Sequence, residues 1–163
     1  MKLKLPLNVY SSDQLGAIAW ELEEAINELR KRSIRRSVIG GHNKDQEQLE
    51  TSKLLDELLR ESGIMKIEQT QLETLLNEVK KFRESAPNVH IILAATPDNK
   101  IKKQLTGWLR QEISPSILCT FSMRADLGGG AIIRTGARQY DFSFRSKIAD
   151  NKQRISEIFN GLR

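Results

Sequence analysis

Few residues in the chain have the type and spacing that chemistry needs. The loudest local signal is the triple glycine Gly128-Gly129-Gly130. Glycine loops cradle phosphate when a helix N-terminus follows directly, because its free backbone N–H groups then point at the anion. Here the β-branched run Ala131-Ile132-Ile133-Arg134 follows instead, and no Gly-Lys-Ser or Gly-Lys-Thr occurs in the loop. The glycines therefore read as a turn or bulge that needs positive φ or a close backbone approach. His42 falls in a polar loop and His90 in a predicted strand, far apart and without a carboxylate or thiol cluster, so neither makes a convincing ligand or base. Cys119, the one cysteine, alternates with apolar residues and reads as a small core residue. Asp141 and Arg134 lie on successive predicted strands, where a hairpin would allow a cross-strand ion pair. There is no nucleophile elbow, no placeable pair of carboxylates and no zinc spacing. The residues thus point to no catalytic, cofactor-binding or metal position. Binding is the better class of function.

Composition narrows the classes further. The chain has 163 residues, 39% hydrophobic and 29% charged, which is polar but sufficient for a core. No run approaches the ~18 apolar residues of a membrane span, and the N-terminus does not read as a signal peptide. A single cysteine cannot form an internal disulfide, which fits a reducing compartment. The net charge of +5 is unevenly placed. Up to Pro87 there are 14 Lys and Arg against 15 Asp and Glu; from Asn88 onward there are 12 against 6. The second segment therefore carries +6 and suits a phosphate, an anionic lipid or an acidic protein. The run Arg30-Lys-Arg-Ser-Ile-Arg-Arg36 is either a cation-rich helix C-terminus, favoured by the backbone dipole, or a phosphate-binding patch. No aromatic residue is interleaved there, so bases would have no stacking platform. A nucleic-acid-binding accessory protein is the alternative reading that this charge supports.

The elements are legible from periodicity. Ser11-Ser-Asp-Gln14 has capping-box spacing, and Leu15, Ile18, Leu22, Ala25 and Leu29 follow on one helical face, to a break at Gly40-Gly41. A second helix carries Leu49, Leu55, Leu58 and Leu59 and ends at Ser62-Gly63. A third carries Leu72, Leu75, Leu76, Val79 and Phe82 and stops near Ser85-Ala-Pro87. The second segment alternates. Val89–Ala95 reads as a buried strand, Thr96-Pro-Asp98 as a helix start with Thr96 as cap, and Ile101, Leu105, Trp108 and Leu109 as one helical side. Ile117, Cys119, Phe121 and Met123 form the apolar face of a second strand, so that strand, helix and strand predict a right-handed parallel crossover. Thr135-Gly-Ala-Arg138 offers a hairpin turn, Tyr140, Phe142 and Phe144 share a strand face, and a helix over 145–162 bears Ile148, Ile155, Phe159 and Leu162. The predicted class is α+β: a helical N-terminal domain over 1–87, then a β-α-β-β-α domain with a mixed sheet over 88–163.

This order of features resembles the delta subunit of F-type ATP synthases, the family of the oligomycin-sensitivity-conferring protein. The residues that carry the resemblance are Gly129, Gly130, Arg134, Gly136, Asp141 and Ser143, an ordered set ending in a terminal helix, with Ile91 to Thr96 matching the family's strand. It is good over about residues 88–163 and weak before that. The first segment offers about three helices where the family usually has a six-helix bundle, and Gly128 replaces a usual aliphatic. The resemblance implies a non-catalytic stator subunit without cofactor. Its N-terminal domain would bind alpha subunits of the catalytic head, and its C-terminal domain the C-terminal helices of the b subunit. It implies no small-molecule substrate, no direct nucleic-acid partner, and attachment to the cytoplasmic face of a bacterial membrane only through the complex. The contact with the head is expected around Leu15, Ile18, Leu22, Leu72, Leu75 and Val79. The contact with the stalk is expected around Arg134, Ile148, Ile155 and Phe159.

Overall fold

A computed structural model describes residues 3–39, 51–64, 68–152 and 157, apart from the side chains at positions 36, 38 and 39. The chain divides into two compact units, Met1–Ala86 and Pro87–Arg163.

The first unit is helical. Helix α1 (Ser12–Ile39) opens with a reciprocal capping box. The Gln14 amide donates to Ser11 Oγ at 3.2 Å, and the Ser11 amide donates to Gln14 Oε1 at 3.1 Å. Its apolar stripe then buries Leu15, Ile18, Leu22, Ala25 and Ile26. Helix α2 (Lys53–Glu61) is capped by Ser52, whose Oγ accepts from the Leu55 amide at 3.3 Å. The amide and hydroxyl of Ser52 both donate to the Glu21 carboxylate at 2.7 Å, which ties the start of α2 to α1. The α2 helix stops as expected at Ser62-Gly63. Gly63 takes φ of 72°, and the Ile64 amide bonds back to the Leu59 carbonyl at 3.0 Å. Helix α3 (Gln69–Ser85) is the main partner of α1 and runs antiparallel to it. Arg83 near its end donates to Ser12 Oγ at 3.2 Å, and Glu73 near its start pairs with Arg30 at 2.6 Å. Each fully buried Leu or Ile in this interior contributes about 1.5–3 kcal/mol of burial free energy.

The second unit is a four-stranded mixed sheet in the order β2-β1-β3-β4, which with the helices makes the α+β class. Strand β1 (Asn88–Leu93) pairs in parallel with β2 (Leu118–Met123), as the crossover predicts, and antiparallel with β3 (Ala131–Thr135). Strand β4 (Arg138–Asp141) closes a hairpin on β3. Helix α4 (Asn99–Glu112) connects β1 to β2, and a single 3₁₀ turn (Ala125–Leu127) leads into the glycines. One sheet face packs Val89, Ile91, Ile117 and Cys119 against Leu109 of α4. The other buries Ile92, Ile132 and Leu127.

Four details differ from the sequence reading. The cap of α4 is Asp98, not Thr96: its Oδ1 accepts from the Ile101 amide at 2.7 Å, and a carboxylate caps as well as a hydroxyl. In β2, Leu118 is buried on the face opposite Cys119, while Met123 at the strand end is exposed. Phe144 is not on a strand but begins α5 (Phe144–Asp150), because β4 ends at Asp141. On α4, Leu109 and Thr106 face the sheet, and Trp108 and Ile101 are left exposed. Leu49, the Gly40-Gly41 break, Ile155, Phe159 and Leu162 lie outside the described residues.

Candidate functional site

Four of the resemblance residues, Gly129, Gly130, Asp141 and Ser143, converge on one corner of the second unit, whose geometry is constructional, while Arg134 and Gly136 lie toward the hairpin turn at the other end of β3. Gly130 has φ of 80°, and a Cβ there would sit 2.3 Å from the Phe142 carbonyl oxygen and 3.0 Å from Ser143 Cα. At Gly129 (φ 145°) a Cβ would overlap the Phe144 ring at 2.5 Å. Only glycine lets the two chain segments approach this closely. The approach is held by backbone bonds, from the Phe142 amide to the Ala131 carbonyl at 2.8 Å and from the Phe144 amide to the Gly129 carbonyl at 3.1 Å. Asp141 Oδ1 then accepts the Ser143 amide at 2.9 Å, and Ser143 Oγ caps α5 by accepting the Ser146 amide at 3.2 Å. Ser143 is buried although polar, which this cap explains. The Asp-x-Ser motif is thus a turn that starts a helix, and the Gly-Gly pair is the surface on which that turn rests.

Electrostatics reinforce the corner. Asp126 accepts a two-pronged bond from Arg124, at 3.0 and 2.7 Å, and a third bond from Arg145 of α5 at 2.8 Å. These contacts, Arg124 first, hold its carboxyl below the usual aspartate range. The Asp141 carboxyl is also held low, chiefly by hydrogen bonds from the Ser143 hydroxyl and amide, and then by the charges of Arg124 and Arg145. The expected pair of Arg134 with Asp141 does not form. Asp141 is opposite Ile132, whereas Arg134 is opposite Gln139 and donates to its Oε1 at 2.7 Å. Gly136 begins the hairpin turn with φ of 54°, and Ala137 keeps negative φ, the sequence pattern of a type II′ turn.

The other candidates sort by burial. Cys119 is fully buried, and desolvation pushes its thiol above the usual range, against smaller opposing effects of Thr106 and Arg110. It is a core residue. His90 shares a hydrogen bond of 2.8 Å with Ser122 across the parallel pair; His42 lies outside the described residues. Among the described residues, no three His, Cys, Asp or Glu side chains are grouped to hold a metal ion, and no helix is long and apolar enough to cross a membrane. In the basic run, Arg30 pairs with Glu73, and Lys31 and Arg32 with Glu28.

The residues expected to meet the head lie in the interior of the first unit. Leu15, Ile18, Leu22, Leu72, Leu75 and Val79 are 0–2% exposed. Side chains sealed in this interior can touch another protein only if the bundle opens. Of the residues expected to meet the stalk, Ile148 is 60% exposed, and Ile155 and Phe159 lie outside the described residues. The sequence reading missed the exposed large apolar side chains: Trp20 on α1, Ile101 and Trp108 on α4, and Tyr140 and Phe142 at β4. Periodicity placed Ile101, Trp108, Tyr140 and Phe142 on element faces without separating buried from exposed positions, and it did not single out Trp20.

No curated protein matches the chain. A profile for the ATP synthase delta (OSCP) subunit matches residues 12–155, spanning parts of both units. That family is a structural component of the peripheral stalk of F-type ATP synthases. With a match over most of its length, the chain belongs to the ATP synthase delta (OSCP) subunit family.

Proposed function

We propose that this protein is the non-catalytic link between the catalytic head of an F-type ATP synthase and its membrane-anchored b subunit. The first unit binds alpha subunits, and the second binds the C-terminal helices of b. In this role the stator resists the torque of the rotor, so that proton flow drives ATP formation in the head. The observation that carries the reading is the family match across both units, one for each end of a connector. The charge of the second segment supports it, because a +6 body is attracted to acidic stalk helices, and rim charges set orientation and on-rate. Exposed apolar side chains must then supply most of the affinity. On the first unit, Trp20 on the outer side of α1 is the candidate anchor. Membrane association at the cytoplasmic face of a bacterial cell follows through the complex.

The test is a pull-down of the tagged protein from gently solubilised membranes, with and without nuclease. Recovery of alpha, beta and b subunits irrespective of nuclease is the expected result. Nuclease-sensitive recovery of ribosomal or nucleoid proteins, without those subunits, would refute the stalk role.

A further inference from the structure

Two kinds of force hold the second unit, and they fall on different elements. Apolar burial closes the sheet, with Val89, Ile91, Leu109, Ile117 and Cys119 on one face and Ile92, Leu127 and Ile132 on the other. Helix α5 has no such hold. None of its seven residues is buried, and Phe144 and Ile148 are 55% and 60% exposed. A helix of that length is far shorter than the ~12–15 residues that are marginal in water by themselves. Neighbouring groups must therefore keep it in place, and among the described residues they gather at its first turn.

One part of that turn is backbone. The Phe142 amide bonds to the Ala131 carbonyl, the Phe144 amide to the Gly129 carbonyl, and Ser143 caps the helix. These contacts fix where α5 starts. The other part is ionic and reaches further. Arg145 Nη1 of α5 donates to Asp126 Oδ2 at 2.8 Å, and the same oxygen accepts from Arg124 Nη2 at 2.7 Å. Arg124 is itself tied to the sheet, because its amide donates to the Leu93 carbonyl at the end of β1 at 2.8 Å. A continuous path thus runs from β1 through Arg124 and Asp126 to α5, and Asp141 lies in the field of both arginines. The three side chains of the path are open to solvent, 42% for Arg124, 48% for Asp126 and 67% for Arg145. Salt screens exposed ion pairs, whereas it leaves the burial of apolar surface in place.

We propose that Arg124, Asp126 and Arg145 form a salt-sensitive latch that holds α5 against the end of the sheet. When the latch is screened, α5 opens by itself, pivoting after Phe142, while the sheet stays closed. The helix is then a separate opening unit of low stability beside a sheet of higher stability. This is a property of the free chain and does not depend on the stalk reading.

The test is amide hydrogen exchange of the full chain, read residue by residue by NMR at one pH. It compares ~0.02 M with ~0.5 M NaCl, between which the Debye length falls from about 20 Å to about 4 Å. The Lys147 and Asn151 amides, which bond within the helix to the Ser143 and Lys147 carbonyls, report on α5. Amides of β1, a central strand, report on the sheet. Raising the salt should speed α5 exchange about threefold or more and leave β1 unchanged. Asp126→Asn and Arg145→Gln should each give the fast α5 rate already at low salt and remove the salt response. Both side chains are exposed, and circular dichroism confirms that the variants are folded. An α5 rate that ignores salt overturns the latch. Exchange in the two variants equal to that of the wild type also overturns it, because the hold on α5 then lies elsewhere. A rise of β1 exchange in step with α5 overturns it as well, because the helix then opens only with the whole unit.

Discussion

Single residues in this protein are constrained by contact more than by chemistry, and Gly130 is the sharpest case. Any side chain there meets backbone, with φ already in the left-handed region. Gly136 has a similar φ but open space around it. Gly130→Ala should therefore destabilise the second unit by more than the ~1–3 kcal/mol of backbone strain alone, and Gly136→Ala by about that strain. Denaturant unfolding followed by Trp108 fluorescence, in the Trp20→Phe background, measures both. Cys119 gives a second prediction at this scale. Its burial and raised pKa leave almost no accessible thiolate, so a thiol reagent at neutral pH should react only as the unit opens. Rapid stoichiometric labelling under native conditions would contradict this. The resemblance residues were visible in the sequence as identities, but their roles were not. Nothing local in Asp141-Phe-Ser143 announces that the turn rests on Gly129 and Gly130 some twelve residues earlier.

Elements carry the next level of the argument. Caps and stripes were legible because they are local: the Ser11–Gln14 box, the Ser62-Gly63 stop and the stripe on α1 formed as read. The exposed side of α4 was not legible, because a stripe of four apolar residues does not say which of them meets a sheet, and here only Leu109 is buried. The Arg134–Asp141 pair was mistaken for a related reason, since register depends on hairpin geometry that spacing leaves open. Asp98→Ala should cost about 1 kcal/mol by removing the α4 cap, while Thr96→Ala should cost little; thermal unfolding of the two variants separates them. The join between the 3₁₀ turn and α5 predicts a pH dependence. Asp126 and Asp141 have folded pKa values below their unfolded ones, so their contribution to stability is full above the unfolded aspartate range. It is lost as pH falls through the lowered folded values. Asp126→Asn combined with Asp141→Asn should flatten that acid limb of the stability curve; an unchanged limb would place the acid sensitivity elsewhere.

At the scale of the whole molecule, the division into an acidic-leaning helical unit and a basic α+β unit fits a part that joins two unlike partners. The fold class was readable because both periodicities, 3.6 and 2, are strong and separated along the chain. Partner surfaces were not, because the same apolar residue suits a core or an interface, and only burial decides. Leu15 and Trp20 are five residues apart on one helix, one sealed and the other 61% exposed. The central claim is that this one chain bridges head and membrane. It is tested most directly by sedimenting membranes that contain the b subunit but lack this protein, mixed with purified soluble head. The account predicts that the head sediments with the membranes only when the intact chain is added, saturating as added chain matches the available stalks. Head sedimenting equally well without the chain, or remaining in solution with it, would contradict the claim.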